Sequence, residues 1–294
     1  MKARFIYGTL LVLGVVGLLA ADTQFWPESR PCITLLIGLL ALVGWVELVG
    51  LFGWKSKAHF VLGLVGTGFF HGIAWWVVTQ ESSALLKSTG NVGLDAASRL
   101  AYLDVAYEPR ATIGIAAVVF LSFAFAVLRR NFQDYYRPAI ETILGVLLLG
   151  FLFSHIGRLY LQPDGATLVL VLFIGIKGTD IAAFLVGKTW GKHKFLPVSP
   201  KKSVEGCVAA LVWGGLWFGL APQFFGPLSH HPIPAAALAG IILAAVAQMG
   251  DFAESLIKRQ YNVKDSKALI PEFGGVLDLI DSLLFTGYLF WCLV

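Results

Sequence analysis

Charged residues are scarce in this chain: Asp, Glu, Lys and Arg make up 14% of its 294 residues, against about 25% in soluble domains. Hydrophobic residues reach 57%, and the mean hydropathy is +0.77. A soluble core of this size cannot bury so much apolar side chain. The composition therefore excludes an ordinary soluble domain and indicates a membrane protein.

Cysteine is also rare. The three cysteines, Cys32, Cys207 and Cys292, lie far apart, and no CxxC or Cys/His spacing occurs. This pattern disfavours a disulfide framework and a thiolate metal site. We interpret the cysteines as small apolar side chains.

Nine apolar runs are long enough to cross a bilayer, which takes about 20 residues in a helix. The runs are continuous, whereas the strands of a membrane barrel would alternate, and backbone groups in lipid must pair within the segment. We predict an all-α, polytopic integral membrane protein of about nine transmembrane helices. The runs are 5–21, 32–54, 59–79, 111–128, 138–157, 166–187, 206–226, 234–254 and 276–294.

The basic residues predict the orientation. Of the 22 Lys and Arg residues, sixteen fall in one alternating set of connections, five fall in the other set, and Lys177 lies within a run. Such a bias marks the cytoplasmic side. We therefore expect a multi-pass protein of the cell (inner) membrane with a cytoplasmic N-terminus.

The positions of the motifs divide the chain into two regions. Residues 1–130 hold about four predicted membrane helices, and residues 131–294 form a C-terminal membrane region with the residues that could carry chemistry. The connection 80–110 is long and mixed in charge, which leaves a surface helix or a re-entrant helix open.

Ionisable residues inside membrane helices are costly and are therefore functional candidates. The C-terminal region has six of them close to or within the predicted spans: Lys177, Asp180, Asp251, Glu254, Asp278 and Asp281. The spacing of three places each of the last two pairs on one helix face.

Carboxylates beside lysine-rich connections favour a Mg²⁺ site for phosphate chemistry, because Mg²⁺ prefers oxygen ligands and bridges to substrate phosphates. Other interpretations remain open. The lysines could be ordinary positive-inside residues that touch anionic lipids, and Lys177 could form a salt bridge with Asp180. A transporter with a proton or cation relay would use the same residue types, although the sequence shows no internal repeat.

Two blocks carry a family resemblance. The first lies in 248–282 and the second in 180–206. In the first, the matching positions are Ser255, Lys258, Arg259, Lys264, Asp265, Ser266, Pro271, Gly274, Gly275, Asp278 and Asp281. In the second, they are Asp180, Gly187, Lys188, Gly191, Lys192 and Ser199 to Gly206. Together they resemble the signature of the phosphatidate cytidylyltransferases, also called CDP-diacylglycerol synthases, over about residues 138–294.

Three positions depart from that signature. Phe273 stands where the family usually has His, Leu279 where it has Arg, and Lys267 where it has Gly. These departures leave a catalytically inactive homologue open.

The resemblance implies transfer of CMP from CTP to phosphatidic acid, giving CDP-diacylglycerol and pyrophosphate, in phospholipid biosynthesis. A cytidylyltransferase acting on another lipid phosphate is an alternative. The expected partners are CTP, phosphatidic acid and membrane lipids, with no nucleic acid; a homodimer stays open.

The resemblance also implies roles for residues, in a site that faces the cytoplasm. The catalytic candidates are Asp251, Asp278, Asp281 and Lys258. The same three aspartates and Asp180 are the expected ligands of Mg²⁺, either as two divalent ions or as one with a monovalent ion. The substrate-binding candidates are Ser199, Lys201, Lys202, Ser255, Arg259, Lys264, Asp265, Gly274 and Gly275.

Overall fold

A computed structural model of the protein describes residues 2–26, 29–53, 56–81, 96–129, 133–194, 199–263 and 275–294. Within these residues the fold is helical, and β pairing is limited to an isolated antiparallel bridge between Lys194 and Ser203. The helices are α1 Lys2–Phe25, α2 Pro31–Phe52, α3 Lys57–Trp76, α4 Ala96–Val127, α5 Gln133–Gly145, α6 Phe153–Leu161, α7 Gly165–Thr189, α8 Val204–Phe224, α9 Ile233–Gln260 and α10 Val276–Leu293. π-helical turns cover Val77–Glu81 and Val146–Leu152, and a 3₁₀ turn covers Gly226–Leu228.

Among the described residues, eight helical segments are long and apolar enough to cross a membrane. This finding confirms the predicted all-α, polytopic membrane fold. The count of nine and the cytoplasmic N-terminus stay predictions, because α1 is not among the eight. The segments are Pro31–Phe52, Lys57–Thr79, Ala106–Val127, Asp134–Leu161, Gly165–Thr189, Val204–Phe224, Ile233–Gln260 and Val276–Leu293.

Two helix boundaries differ most from the predicted ones. Helix α9 continues to Gln260, six residues past the predicted end of its apolar run. Helix α4 begins at Ala96, so the second half of the connection 80–110 is helical and runs directly into a membrane span. Residues 82–95 of that connection lie outside the described residues.

The chain forms two compact units, an N-terminal unit up to Pro163 and a C-terminal unit from Asp164 onward. The predicted division after residue 130 rests on where the motifs begin, and it stays a prediction. The residues with candidate chemistry that the structure describes all belong to the C-terminal unit.

In the N-terminal unit, a buried carboxylate joins three helices. Asp22 of α1 accepts hydrogen bonds from the backbone N–H groups of Cys32 (2.8 Å) and Ile33 (2.9 Å), in the first turn of α2. The hydroxyl of Tyr160, in α6, donates to the same carboxylate over 3.0 Å. The side chain thus pairs backbone donors that a helix start leaves without an intrahelical partner.

Asp22→Ala is expected to lower the free energy of unfolding by about 2 kcal/mol, because the buried donors lose their acceptor. Tyr160→Phe removes one of the three hydrogen bonds and should cost about 1 kcal/mol. Thermal unfolding in detergent measures both variants. Equal melting temperatures for Asp22→Ala and the unmodified protein would contradict this role.

In the C-terminal unit, α7 to α10 pack through small residues. A Cβ atom on Gly240 of α9 would lie 2.2 Å from the carbonyl oxygen of Gly214 in α8. Glycines at such contacts let two membrane helices approach closely. The alternating direction of the helices brings the C-terminal ends of α7 and α9 together with the N-terminal ends of α8 and α10.

Candidate active site

Three carboxylates meet at this end of the C-terminal unit. Asp251 and Glu254 of α9 and Asp281 of α10 each place one oxygen within 4.8 Å of the others, and we call these residues the carboxylate cluster. Glu254 and Asp281 are buried, and Asp251 is partly buried. Like charges held this close repel each other, so a bound cation would stabilise them. The all-oxygen donor set fits a hard divalent ion such as Mg²⁺.

A glycine allows this approach. Gly250 precedes Asp251, and a Cβ atom there would lie 2.5 Å from the carbonyl oxygen of Asp281. The backbones of α9 and α10 therefore come together at the cluster itself.

Gly250→Ala is expected to lower the free energy of unfolding by about 1–3 kcal/mol through overpacking. It should also weaken Mn²⁺ binding, because the two sides of the cluster move apart. Thermal unfolding and Mn²⁺ titration followed by electron paramagnetic resonance measure these effects. Gly72→Ala in α3 is the matched control, since its Cβ would meet no atom within 4 Å. Unchanged Mn²⁺ affinity in Gly250→Ala would contradict this assignment.

Asp278 lies beside the cluster with a different set of partners. The ammonium of Lys258 contacts Asp278 and also Glu254, the latter at 2.6 Å. The other carboxylate oxygen of Asp278 accepts the backbone N–H of Gly275 over 3.1 Å, which caps the start of α10. The prediction of Asp278 as a metal ligand stays a prediction. Gly275 is a predicted substrate contact, and its backbone N–H donates to Asp278 of the same chain.

Asp180 of α7 completes the acidic side. Its carboxylate lies 3.3 Å from the ammonium of Lys177, which confirms the salt bridge that the spacing allowed. Ser282 of α10 accepts a hydrogen bond from Lys177 over 2.8 Å. Lys177 therefore links Asp180 to the helix that carries Asp281.

Lysines border the carboxylates on the other side. The ammonium of Lys202 forms an ion pair with Asp251 and lies 4.2 Å from the centroid of the Phe252 ring. Lys194 donates to the carbonyl oxygen of Lys201 over 3.0 Å. These contacts hold the start of α8, where Ser203 caps the helix by accepting the N–H of Gly206. Lys201 is exposed beside them.

Two cavities adjoin at Asp180 and Asp251, which line both. The larger, of about 640 Å³, is the basic cavity. The smaller, of about 320 Å³, is the acidic cavity. The lining of the basic cavity includes four lysines: Lys188, Lys194, Lys201 and Lys202. The acidic cavity is lined by Asp180, Asp251, Glu254, Ser255, Lys258, Arg259, Asp278 and Asp281. The larger volume lies within the usual range of small-molecule sites.

The structure thus brings together most of the predicted site residues, although their individual roles stay predictions. Ser199 takes part through its backbone carbonyl oxygen, which accepts the N–H of Lys202 over 3.1 Å. Seven residues named in the resemblance lie outside the described residues: Lys264, Asp265, Ser266, Lys267, Pro271, Phe273 and Gly274. Three of them, Lys264, Asp265 and Gly274, are predicted substrate contacts.

Sequence reasoning left Glu254 out of the ligand set, although its spacing of three from Asp251 was a usable signal. Gln248, which lines the basic cavity, was also missed. An isolated glutamine in an apolar run carries too little information to mark a site.

The chain is similar to known proteins over most of its length. The model of the cytidylyltransferase family matches residues 2–294, which extends the resemblance beyond residues 138–294 to nearly the whole chain. Proteins named phosphatidate cytidylyltransferase from several organisms are similar to this chain. The one from Staphylococcus epidermidis is 33% identical over 173 residues, covering 58% of this chain and 65% of the relative.

The relative from Bacillus subtilis is 34% identical over 172 residues, covering 57% of this chain and 62% of the relative. The relative from Synechocystis is 37% identical over 132 residues, covering 45% of this chain and 44% of the relative. The chain therefore spans less than two thirds of the length of these relatives. The match of the family model over almost every residue leads to one conclusion: the chain belongs to the cytidylyltransferase family.

Proposed function

We propose that the protein transfers CMP from CTP to phosphatidic acid and so forms CDP-diacylglycerol and pyrophosphate. The observation that carries this proposal is the junction of the basic and acidic cavities at Asp180 and Asp251. A nucleoside triphosphate needs both kinds of lining, because cations neutralise its phosphates and carboxylates hold the divalent ion that accompanies it.

The wall of the basic cavity supports a lipid as the second substrate. Phe184 of α7 lines this cavity, and its side chain is 64% exposed. The ammonium of Lys188 lies 5.6 Å from the centroid of its ring. An exposed aromatic residue on a membrane helix suits contact with acyl chains, while the neighbouring lysine suits the phosphate of an anionic headgroup.

The proposed site faces the cytoplasm, from which CTP arrives. The distribution of basic residues supports this orientation. The ends of α7 to α10 that carry the site adjoin the connections with the most basic residues, and such connections are cytoplasmic in most membrane proteins.

In the proposed reaction, a phosphate oxygen of phosphatidic acid forms a bond to the α-phosphorus of CTP. The bond from that phosphorus to the oxygen bridging to the β-phosphorus breaks, and pyrophosphate leaves with the electron pair. The attacking phosphate is already ionised near neutral pH, so no general base is required. Phe273, in place of the family's usual His, is therefore compatible with activity.

In such a reaction the protein neutralises the charge of the phosphates and positions the two substrates. Lys201 and Arg259 form no ion pair with any residue that the structure describes, and both line a cavity, so they are available for phosphate oxygens. Asp251, Glu254 and Asp281 would hold Mg²⁺. When bound, the ion supplies positive charge next to the transferred phosphate.

The test is transfer of label from α-labelled CTP into lipid by the purified full chain in detergent. Phosphatidic acid, lysophosphatidic acid and an isoprenoid phosphate are offered separately, each with and without Mg²⁺. We expect Mg²⁺-dependent labelling with phosphatidic acid as the preferred acceptor. Preferred labelling of another lipid phosphate would overturn the substrate assignment. Folded protein that labels no lipid would overturn the proposed activity.

A further inference from the structure

Lys177 occupies an unusual place, three residues before Asp180 on the same face of a membrane helix. Its ammonium lies 3.3 Å from one carboxylate oxygen of Asp180 and donates to the hydroxyl oxygen of Ser282 over 2.8 Å. The Ser282 hydroxyl lies 3.5 Å from the same Asp180 oxygen. An ammonium, a carboxylate and a hydroxyl therefore form a closed triangle between α7 and α10.

Asp180, a member of this triangle, is not a member of the carboxylate cluster. Asp180 lines both cavities beside Asp251, yet the group of carboxylates within 4.8 Å consists of Asp251, Glu254 and Asp281. The charge of Asp180 is balanced by Lys177. The oxygen atoms around the ammonium, a carboxylate and a hydroxyl, are also of the kind that a hard metal cation would take.

A lysine inside a membrane helix costs free energy, and the contacts of Lys177 offset this cost. A charged side chain inside a membrane helix is unfavourable unless it has a partner. The Lys177 side chain is 20% exposed, and its contacts are with α7 itself and with the helix that carries Asp281. It therefore brings a fixed positive charge to the edge of the proposed metal site.

The geometry points to Lys177 as a resident cation, whose ammonium takes the place beside Asp180 that a second metal ion would otherwise fill. The protein then binds one divalent ion and has no requirement for a monovalent ion. The kinetic part of this inference rests on the proposed CMP transfer, whereas the metal-binding part depends on the carboxylates alone. Lys177 is a positioning residue, since it acts through Asp180.

The direct test counts Mn²⁺ ions bound to the purified full chain by electron paramagnetic resonance, in tetramethylammonium chloride. We expect about one ion per chain for the unmodified protein and about two for Lys177→Met, in which Asp180 becomes an available ligand. Lys177→Arg keeps the charge and should bind one. Lys57→Met, at the start of α3, controls for the loss of a lysine. Two ions in the unmodified protein, or one in Lys177→Met, would overturn the inference.

Enzyme kinetics give a second readout. CMP transfer by the unmodified protein should be the same in K⁺ and in tetramethylammonium at equal ionic strength. At a Mg²⁺ concentration that fills one site per chain, Lys177→Met should be about tenfold slower in tetramethylammonium and largely restored by K⁺, which replaces the lost charge. Activity of the unmodified protein that depends on K⁺ contradicts the inference.

The two readouts also separate the possible failures. If Lys177→Met does not fold, the ion count and the K⁺ response of the unmodified protein decide. If no CMP transfer occurs in any salt, the proposed function fails, and the Mn²⁺ count still decides the role of Lys177.

Discussion

Asp281→Asn is expected to lower the rate of CMP transfer by about 10²–10³-fold, the usual effect of removing one preorganised electrostatic contact from an active site. The substitution keeps the shape of a buried side chain and removes its charge from the carboxylate cluster. Initial rates at saturating CTP and phosphatidic acid measure the effect, over a range of Mg²⁺ concentrations. We expect higher Mg²⁺ to recover only part of the loss.

Asp164→Asn is the matched control for this variant. Asp164 is exposed at the start of α7, at the end of the helix away from the site, and its φ of 55° is one that Asn adopts readily. Its CMP transfer should equal that of the unmodified protein. Loss in both variants would indicate a general effect of the substitution, and full activity in Asp281→Asn would remove the cluster from the reaction.

Lys258→Met is expected to lower the free energy of unfolding by about 3–5 kcal/mol, the usual result of removing one partner from a buried ion pair. The side chains of Lys258 and Glu254 are 8% and 7% exposed, and the same ammonium also contacts Asp278. Without it, two carboxylates lie close together with no positive charge between them. Unfolding in detergent, followed by tryptophan fluorescence, measures the change.

Two further variants separate charge from packing at this position. Lys258→Arg keeps the positive charge and should retain most of the stability. Lys258→Met combined with Glu254→Gln removes one of the two uncompensated charges and should recover part of the loss. Equal stability of Lys258→Met and the unmodified protein would show that the carboxylates need no ammonium.

The membrane fold was predictable because the length and hydropathy of the apolar runs match what a helix needs to cross a bilayer. The end of α9 was harder to predict. Ser255 to Gln260 are largely polar, so the hydropathy signal stops at Glu254 although the helix continues. Contacts of Lys258 stabilise this last part of α9. Its ammonium contacts Glu254, four residues earlier in the same helix, and Asp278 across the helix interface.

The metal-ligand set shows where sequence reasoning stops. Helical spacing places Asp278 and Asp281 on one face of α10, but it does not say which of them lies beside Asp251 and Glu254. The close approach of Gly250 to the backbone of Asp281 brings Asp281 to these two carboxylates, whereas Asp278 contacts Lys258 and the backbone N–H of Gly275. That approach depends on packing between helices, which no local pattern records.

The contacts of Lys177 divide in the same way. Its salt bridge with Asp180 follows from a spacing of three and was predictable. Its contact with Ser282 joins residues 105 positions apart, and a serine in an apolar run carries no signal of its own. The inference about a resident cation therefore needed the structure.

The most direct test of the proposed CMP transfer compares CTP labelled at the α-phosphorus with CTP labelled at the γ-phosphorus, in otherwise identical reactions with phosphatidic acid and Mg²⁺. We expect the α-label to enter the lipid and the γ-label to be recovered as pyrophosphate in equal amount. Entry of the γ-label into lipid, or absence of both labels from the lipid and pyrophosphate fractions with folded protein, would contradict this proposal.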